Sequence, residues 1–245
     1  MRLQNKNVVV TGTASGVGAA VVAVAAGEGA RVIGLDIDNE QGEANALANQ
    51  STFYQCDVSS ETSWQSLVKS LRNHSGGIDH LHLNAGIQSA PPEADLEEYL
   101  FSSMNIDRYR KMMGVNIDGV VLGLHHLLPI MNAGGSIVVT GSLAGIVPYD
   151  IDPLYAMTKH AVTGLVRSLR KELQARDLRI NALCPGGIDT AIIPDQQRTE
   201  QAIFMRPEHV AEEVINLFLT DESGATWAKV AESKPMWIMY PPGRK

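Results

Sequence analysis

Tyr155 and Lys159 stand four residues apart in the run Tyr155-Ala-Met-Thr-Lys159, and on a helix that spacing places a phenol and an ammonium one turn apart on the same face. Such a pair can act as an acid and base. A free tyrosine has a pKa near 10, and a neighbouring cation favours the phenolate, so Lys159 is expected to draw Tyr155 toward the working range. Ser142 comes after the apolar run 137–140 and Gly141, where a strand is expected to end and a hydroxyl can hold a substrate oxygen against the phenol. The same spacing also suits a surface Tyr and Lys on an amphipathic helix, so the assignment rests on what surrounds it.

The surroundings alternate strand and helix. Val8-Val-Val-Thr11 leads into Gly12-Thr-Ala-Ser15-Gly16-Val17-Gly18 and then a proline-free, alanine- and valine-rich segment to Glu28, which reads as strand, glycine turn, helix. Glycines there let the backbone approach a diphosphate, and the helix N-terminus offers N–H groups and a positive dipole end. A second strand over 30–36 ends at Asp36, about 20 residues beyond the glycines, where a dinucleotide fold places the acid for the adenosine ribose hydroxyls; a helix cap is the other use for such a carboxylate. A polar helix is expected over 39–49, a strand over 52–56 closing at Asp57-Val58, and a helix over 60–73. Asp57 suits either an adenine amino group or a turn. A fourth strand over 80–83 runs into Asn84-Ala85-Gly86, with His82 expected as a satisfied core histidine, since no second ligand sits at metal spacing. Residues 88–105 read as surface loop. A long helical pattern over 107–128 carries Asn116 among apolar neighbours, where its amide needs partners. The helix of Tyr155 is expected to run to about 176. A strand over 179–184 follows and opens into Pro185-Gly186-Gly-Ile188-Asp-Thr190. These alternations over one chain imply a single-domain α/β, Rossmann-type, doubly wound parallel sheet of about seven strands with helices on both faces.

Composition narrows the function. The 245 residues are 44% hydrophobic and 19% charged, with a net charge of −7, enough for a sizeable core and unsuited to a phosphate-backbone partner. No nucleic acid is expected. Cys56 and Cys184 lie in apolar runs without zinc or disulfide spacing, so reduced thiols, no metal and a cytoplasmic setting are expected. Residues 1–7 show no signal-peptide core and no apolar run reaches about 18 residues, so no membrane association is expected. The sequons at Asn49 and Asn73 are read as chance.

Taken together, Thr11-Gly12 with Gly16 and Gly18, Asp57-Val58, Asn84-Ala85-Gly86, Asn116, Ser142, Tyr155 with Lys159, and Pro185-Gly186 with Thr190 resemble the short-chain dehydrogenase/reductase family over about residues 6–231. The resemblance implies that Tyr155 is the general acid/base and that Ser142 positions the carbonyl or alcohol oxygen. It implies that Lys159 holds the nicotinamide ribose and lowers the tyrosine pKa, and that Asn116 anchors a water on a proton path. It places Gly12, Ser15, Gly16, Val17, Gly18, Asp36, Ile37, Asp57, Val58, Asn84, Ala85, Gly86, Tyr155, Lys159, Pro185, Gly186, Ile188 and Thr190 against the cofactor, with Thr190 and the backbone near Ile188 at the carboxamide. It also implies a homodimer or homotetramer through the two long helices. Two departures stand out: Leu83-Asn84 replaces a pair of asparagines, and the tail 232–245 replaces an Asp-Gly-Gly ending.

Asp36, with no Arg or Lys in 13–15 or 37–39, favours NAD over NADP. A short lid over 191–206 bearing Ile192, Ile193, Phe204 and Met205, facing Leu143, Ala144, Ile146 and Val147, implies a compact, apolar secondary alcohol or ketone. Gln88 is the one neutral polar group expected nearby, and Asp150 and Asp152, if they face the mouth, would repel anions. The alternatives are an NADPH-dependent 3-oxoacyl-thioester reductase and a catalytically silent dinucleotide-binding sensor or scaffold.

Overall fold

The structure is a computed structural model that describes residues 1–71, 76–199 and 202–241; Asn73 of the second sequon lies outside them. One eight-stranded sheet runs through the chain in the order β3-β2-β1-β4-β5-β6-β7-β8. The strands are β1 (Asn7–Thr11), β2 (Arg31–Asp36), β3 (Thr52–Gln55), β4 (Ile78–Leu83), β5 (Met131–Thr140), β6 (Arg179–Pro185), β7 (Thr226–Lys229) and β8 (Trp237–Ile238). All neighbours are parallel except β7 and β8. The helices are α1 (Gly16–Gly27), α2 (Asn39–Ala48), α3 (Glu61–Leu71), α4 (Ile106–Met113), α5 (Gly119–Leu127), α6 (Pro153–Gln174) and α7 (Pro207–Leu219).

Strand alternation explains the two layers. In β1, Val8 and Val10 point to a core built with Val17, Val21 and Val22 of α1 and Val210, Val214 and Phe218 of α7. Val9 points to the other face, where Trp64 and Leu67 of α3, Leu124 and Leu127 of α5 and Val162 and Val166 of α6 pack. Both cysteines are free and buried; burial pushes Cys56 up to about 12 and Cys184 to about 11, so neither is a thiolate near neutrality.

Three expectations change. The stretch expected as one long helix is α4 and α5 joined by a widened π turn, Gly114–Asp118, that contains Asn116, the kind of irregularity helices use where a side chain is diverted to a special task. Its extent, Ile106–Ile130, is long and apolar enough by length and composition alone to cross a membrane, a test that the core helix of a globular protein also passes. Counting uninterrupted apolar residues misses this because polar residues punctuate the run. Lastly, the departing tail packs on its own sheet: Trp237 and Ile238 pair antiparallel with Ala228 and Trp227 and so cover the edge of β7.

Candidate active site

The carboxyl ends of β1, β2, β4, β5 and β6 open into one cleft of about 690 Å³, at the crevice where β1 and β4 send the chain in opposite directions. Gly12 and Gly16 take left-handed φ values of 74° and 55°. A Cβ on Gly18 would lie 1.8 Å from the Gly12 carbonyl oxygen, so the turn closes only over glycine. Asp36 lines the cleft, and its carboxylate accepts from Ala14 N at 2.9 Å and Asp38 N at 3.0 Å, bracing the glycine turn; the helix cap is Asp38 instead, whose Oδ1 accepts from Gln41 N at 3.1 Å. Ser15 is the N-cap of α1 but its hydroxyl makes no capping bond, which leaves the helix start unclaimed by that side chain. Asp57 lines the cleft while its Oδ1 accepts from Ser59 N at 2.9 Å and Ser59 Oγ at 2.7 Å, the turn role.

Asn84 closes the question left by the missing second asparagine. Its Nδ2 donates to Thr11 O at 3.2 Å, its main-chain N–H to Thr11 Oγ1 at 2.9 Å, and its Oδ1 accepts from Thr140 Oγ1 at 3.1 Å. With the Thr140 proton so committed, His82 Nε2, 2.9 Å from Thr140 Oγ1, is the donor of that pair. His82 is fully buried and its Nδ1 has no partner among the described residues, so it is only half satisfied. Burial pushes its pKa down to about 3, and it stays neutral.

Tyr155 and Lys159 project from α6, whose first turn is fixed by Asp152: its Oδ1 accepts from Tyr155 N at 2.9 Å and from Ser89 Oγ at 2.9 Å, and its Oδ2 from Ser89 N at 2.7 Å. Asp152 is 5% exposed and is therefore a helix cap, not a charge at the mouth; Asp150 is exposed and outside the cleft lining. The anion repulsion expected of the pair is overturned, because the capping bonds turn one carboxylate inward. Ser142, Tyr155 and Lys159 share the cleft wall. Burial pushes the Tyr155 phenol up, a hydrogen bond with Ser142 pulls it back, and Tyr149 and Asp152 push it further up. Burial also lowers Lys159 to about 8, and its Nζ lies 5.4 Å from the Tyr155 ring centroid. The lowering of Tyr155 expected from Lys159 is not found: burial is the largest cause and raises the phenol, and the neighbour that lowers it is Ser142.

Asn116 is 1% exposed and stands behind the cleft wall. Its Oδ1 accepts from Ile87 N at 2.8 Å, and its Nδ2 donates to Ile87 O at 2.9 Å and to Thr158 Oγ1 at 3.1 Å. Thr158 Oγ1 in turn donates to Tyr155 O at 2.8 Å. The amide has the partners it needs, and they connect the loop after β4 to the helix of Tyr155. Of the residues expected to do the catalysis or hold the cofactor, Gly18 and Asn116 lie behind the cleft and the others line it.

Ile192, Ile193 and Phe204 line the substrate half, with Leu143, Ala144 and Val147 opposite. Ile146 and Met205 do not: Ile146 packs against the buried core, and Met205 is fully buried, bridges Ile188 and bonds to Gly187 and Asp189, so it anchors the base of the lid. Three polar residues of the lining escaped the sequence reading, Tyr149, Gln197 and Lys111. Tyr149 lies six residues before Tyr155, in a stretch whose sequence signal is only its lack of cations. Gln197 and Lys111 have no local signal; only folding brings the lid and α4 to the cleft.

The comparisons agree with this geometry. A model of the short chain dehydrogenase family matches residues 6–201. The chain is 34% identical over 196 residues to the 2,5-dichloro-2,5-cyclohexadiene-1,4-diol dehydrogenase of Sphingobium indicum, covering 78% of this chain and 76% of that protein. It is 30% identical over 230 residues to the mitochondrial borneol dehydrogenase of Lavandula x intermedia, covering 91% and 86%. A short chain dehydrogenase from Burkholderia cenocepacia, crystallised in complex with NADP, superposes with a TM-score of 0.82 at 26% identity over 94% of this chain and 98% of that one. The chain belongs to the short-chain dehydrogenase/reductase family. It is an oxidoreductase that uses a nicotinamide dinucleotide, NAD or NADP.

Proposed function

We propose that this protein interconverts a small, uncharged, largely apolar secondary alcohol and its ketone with NAD(H). The observation that carries the reading is the meeting of Ser142 and Tyr155 in a cleft whose substrate half is walled by Leu143, Val147, Ile192, Ile193 and Phe204. The glycine turn fits a dinucleotide diphosphate, since Gly12 and Gly16 bring bare backbone to the cleft and the turn packs tightly only without side chains at Gly12 and Gly18. Asp36 would hold the adenosine ribose, Lys159 the nicotinamide ribose, and Thr190 with the backbone near Ile188 the carboxamide. The dinucleotide supplies the hydride acceptor or donor. Ser142 orients the substrate oxygen, and Tyr155 takes its proton in oxidation and returns it in reduction. Asp36 would repel a 2′-phosphate, and Arg31 is turned away, bonded to Asn7 and Asn5 at the other end of β2. The dehydrogenases of a cyclohexadiene diol and of borneol among its relatives support cyclic alcohols as substrates.

The test is a panel of cyclic and open-chain secondary alcohols and ketones, hydroxy acids and 3-hydroxyacyl thioesters, followed by cofactor absorbance. Highest kcat/KM on uncharged alcohols or ketones is expected. Highest kcat/KM on thioesters or anions overturns the reading.

A further inference from the structure

Beside the reactive pair, the otherwise apolar substrate half of the cleft contains a cluster of neutral polar groups. Tyr149 Oη donates to Gln197 Oε1 at 2.7 Å, and Gln88 also hydrogen-bonds this phenol. All three residues line the cleft. The Tyr149 and Tyr155 rings meet edge to face with centroids 6.1 Å apart, so a compact substrate with one oxygen at Tyr155 keeps its far side within reach of Tyr149. One group in the cluster is unspent: Gln197 Nε2 is sealed from water and has no hydrogen-bond partner among the described residues. A buried amide donor without an acceptor is costly and is found where a ligand or water completes the set. A lid needed only to exclude water is better closed by an aliphatic residue at that position.

We propose that Tyr149, Gln197 and Gln88 form a subsite for a second oxygen on the substrate, so that the preferred compounds are ring diols or hydroxyketones with the two oxygens on opposite sides of a compact apolar skeleton. This rests on the alcohol dehydrogenase reading above and narrows it. The phenol oxygen has a lone pair to accept a substrate hydroxyl, and the Gln197 amide donates to a hydroxyl or carbonyl oxygen. The three groups are uncharged, so the subsite selects a neutral oxygen over a carboxylate.

The experiment compares kcat/KM with NAD for 1,4-cyclohexanediol, 4-methylcyclohexanol and cyclohexanol, the methyl compound matching the diol in size without its second oxygen. The diol should exceed 4-methylcyclohexanol by about tenfold or more, because a site built to pair a hydroxyl rejects the analogue that lacks it. In Tyr149→Phe, and independently in Gln197→Leu, that ratio should fall to about one. A purely structural role would lower all three substrates together and leave the ratio unmoved, and that result overturns the subsite. Turnover of all three by the wild type without preference overturns the subsite alone. No turnover of any of them, with activity on thioesters or anions, overturns the alcohol reading and the subsite with it.

Discussion

Lys159 Nζ donates to the main-chain carbonyl of Thr140 at 2.9 Å, tying the helix of Tyr155 to the end of the strand that presents Ser142. The ammonium is 4% exposed in relative terms, and burial lowers its pKa from 10.5 to about 8. Above the unfolded value neither state is charged and there is no cost. As pH falls toward 8 the unfolded chain takes up the proton more readily, stability is lost, and below 8 the loss is complete. Lys159→Met should therefore raise the Tm by about 4 °C or more near pH 7, with a smaller gain near pH 9.5, while activity is lost. Calorimetry showing a lower Tm for the variant at both values would refute this.

Tyr155→Phe keeps the ring and its packing against Tyr149 but removes the transferable proton. Turnover should fall by about 100-fold or more with cofactor affinity retained. Retention of most activity in steady-state assays would make Tyr155 a structural residue.

Asp36→Ala should raise the NADP to NAD ratio of kcat/KM by removing the repelling carboxylate. The acceptor for Ala14 N and Asp38 N is lost as well, so absolute efficiency with NAD should fall by about tenfold. Wild-type enzyme that uses the two cofactors equally would contradict the assignment.

Glu213 Oε1 lies 2.8 Å from the Lys229 ammonium, whose side chain is only 2% exposed. Burial pushes the Glu213 pKa up, but the bonds from Lys229 and Asn216 prevail and hold it below the usual carboxylate value. This contribution is present above the unfolded pKa and is lost as pH falls through the folded one. Glu213→Ala should destabilise by about 3–5 kcal/mol, since it strands a buried charge, whereas Glu213→Leu combined with Lys229→Met should recover most of that loss. Denaturant midpoints for the single and double variants decide it.

The dimer or tetramer expected from the sequence uses α4, α5 and α6, where Val121 of the apolar helix α5 and Met157 of α6 are each 44% exposed. Sedimentation should show an oligomer at micromolar concentration, and Val121→Glu should shift it toward monomer with the fold intact. A monomeric wild type would refute the proposal.

The sequence alone determined the layered fold and the lining of the cofactor cleft, because both follow from local rules. Near-continuous apolar strands alternating with helices require the parallel sheet, and such a sheet gathers its strand ends, with Gly12, Asp36, Asn84, Ser142 and Pro185, at one edge. What only the tertiary structure decided depends on distance and desolvation between segments far apart in the chain. Burial reversed the direction of the Tyr155 shift, and Asp152 turned inward to cap α6 and hold Ser89. Gln197 reached Tyr149 across 48 positions, and Lys229 found Glu213 beneath the sheet edge that the tail strand closes. Residue types and spacings state which groups are available. Whether a charge keeps its water, and which partner replaces that water, is set by packing that no local pattern encodes.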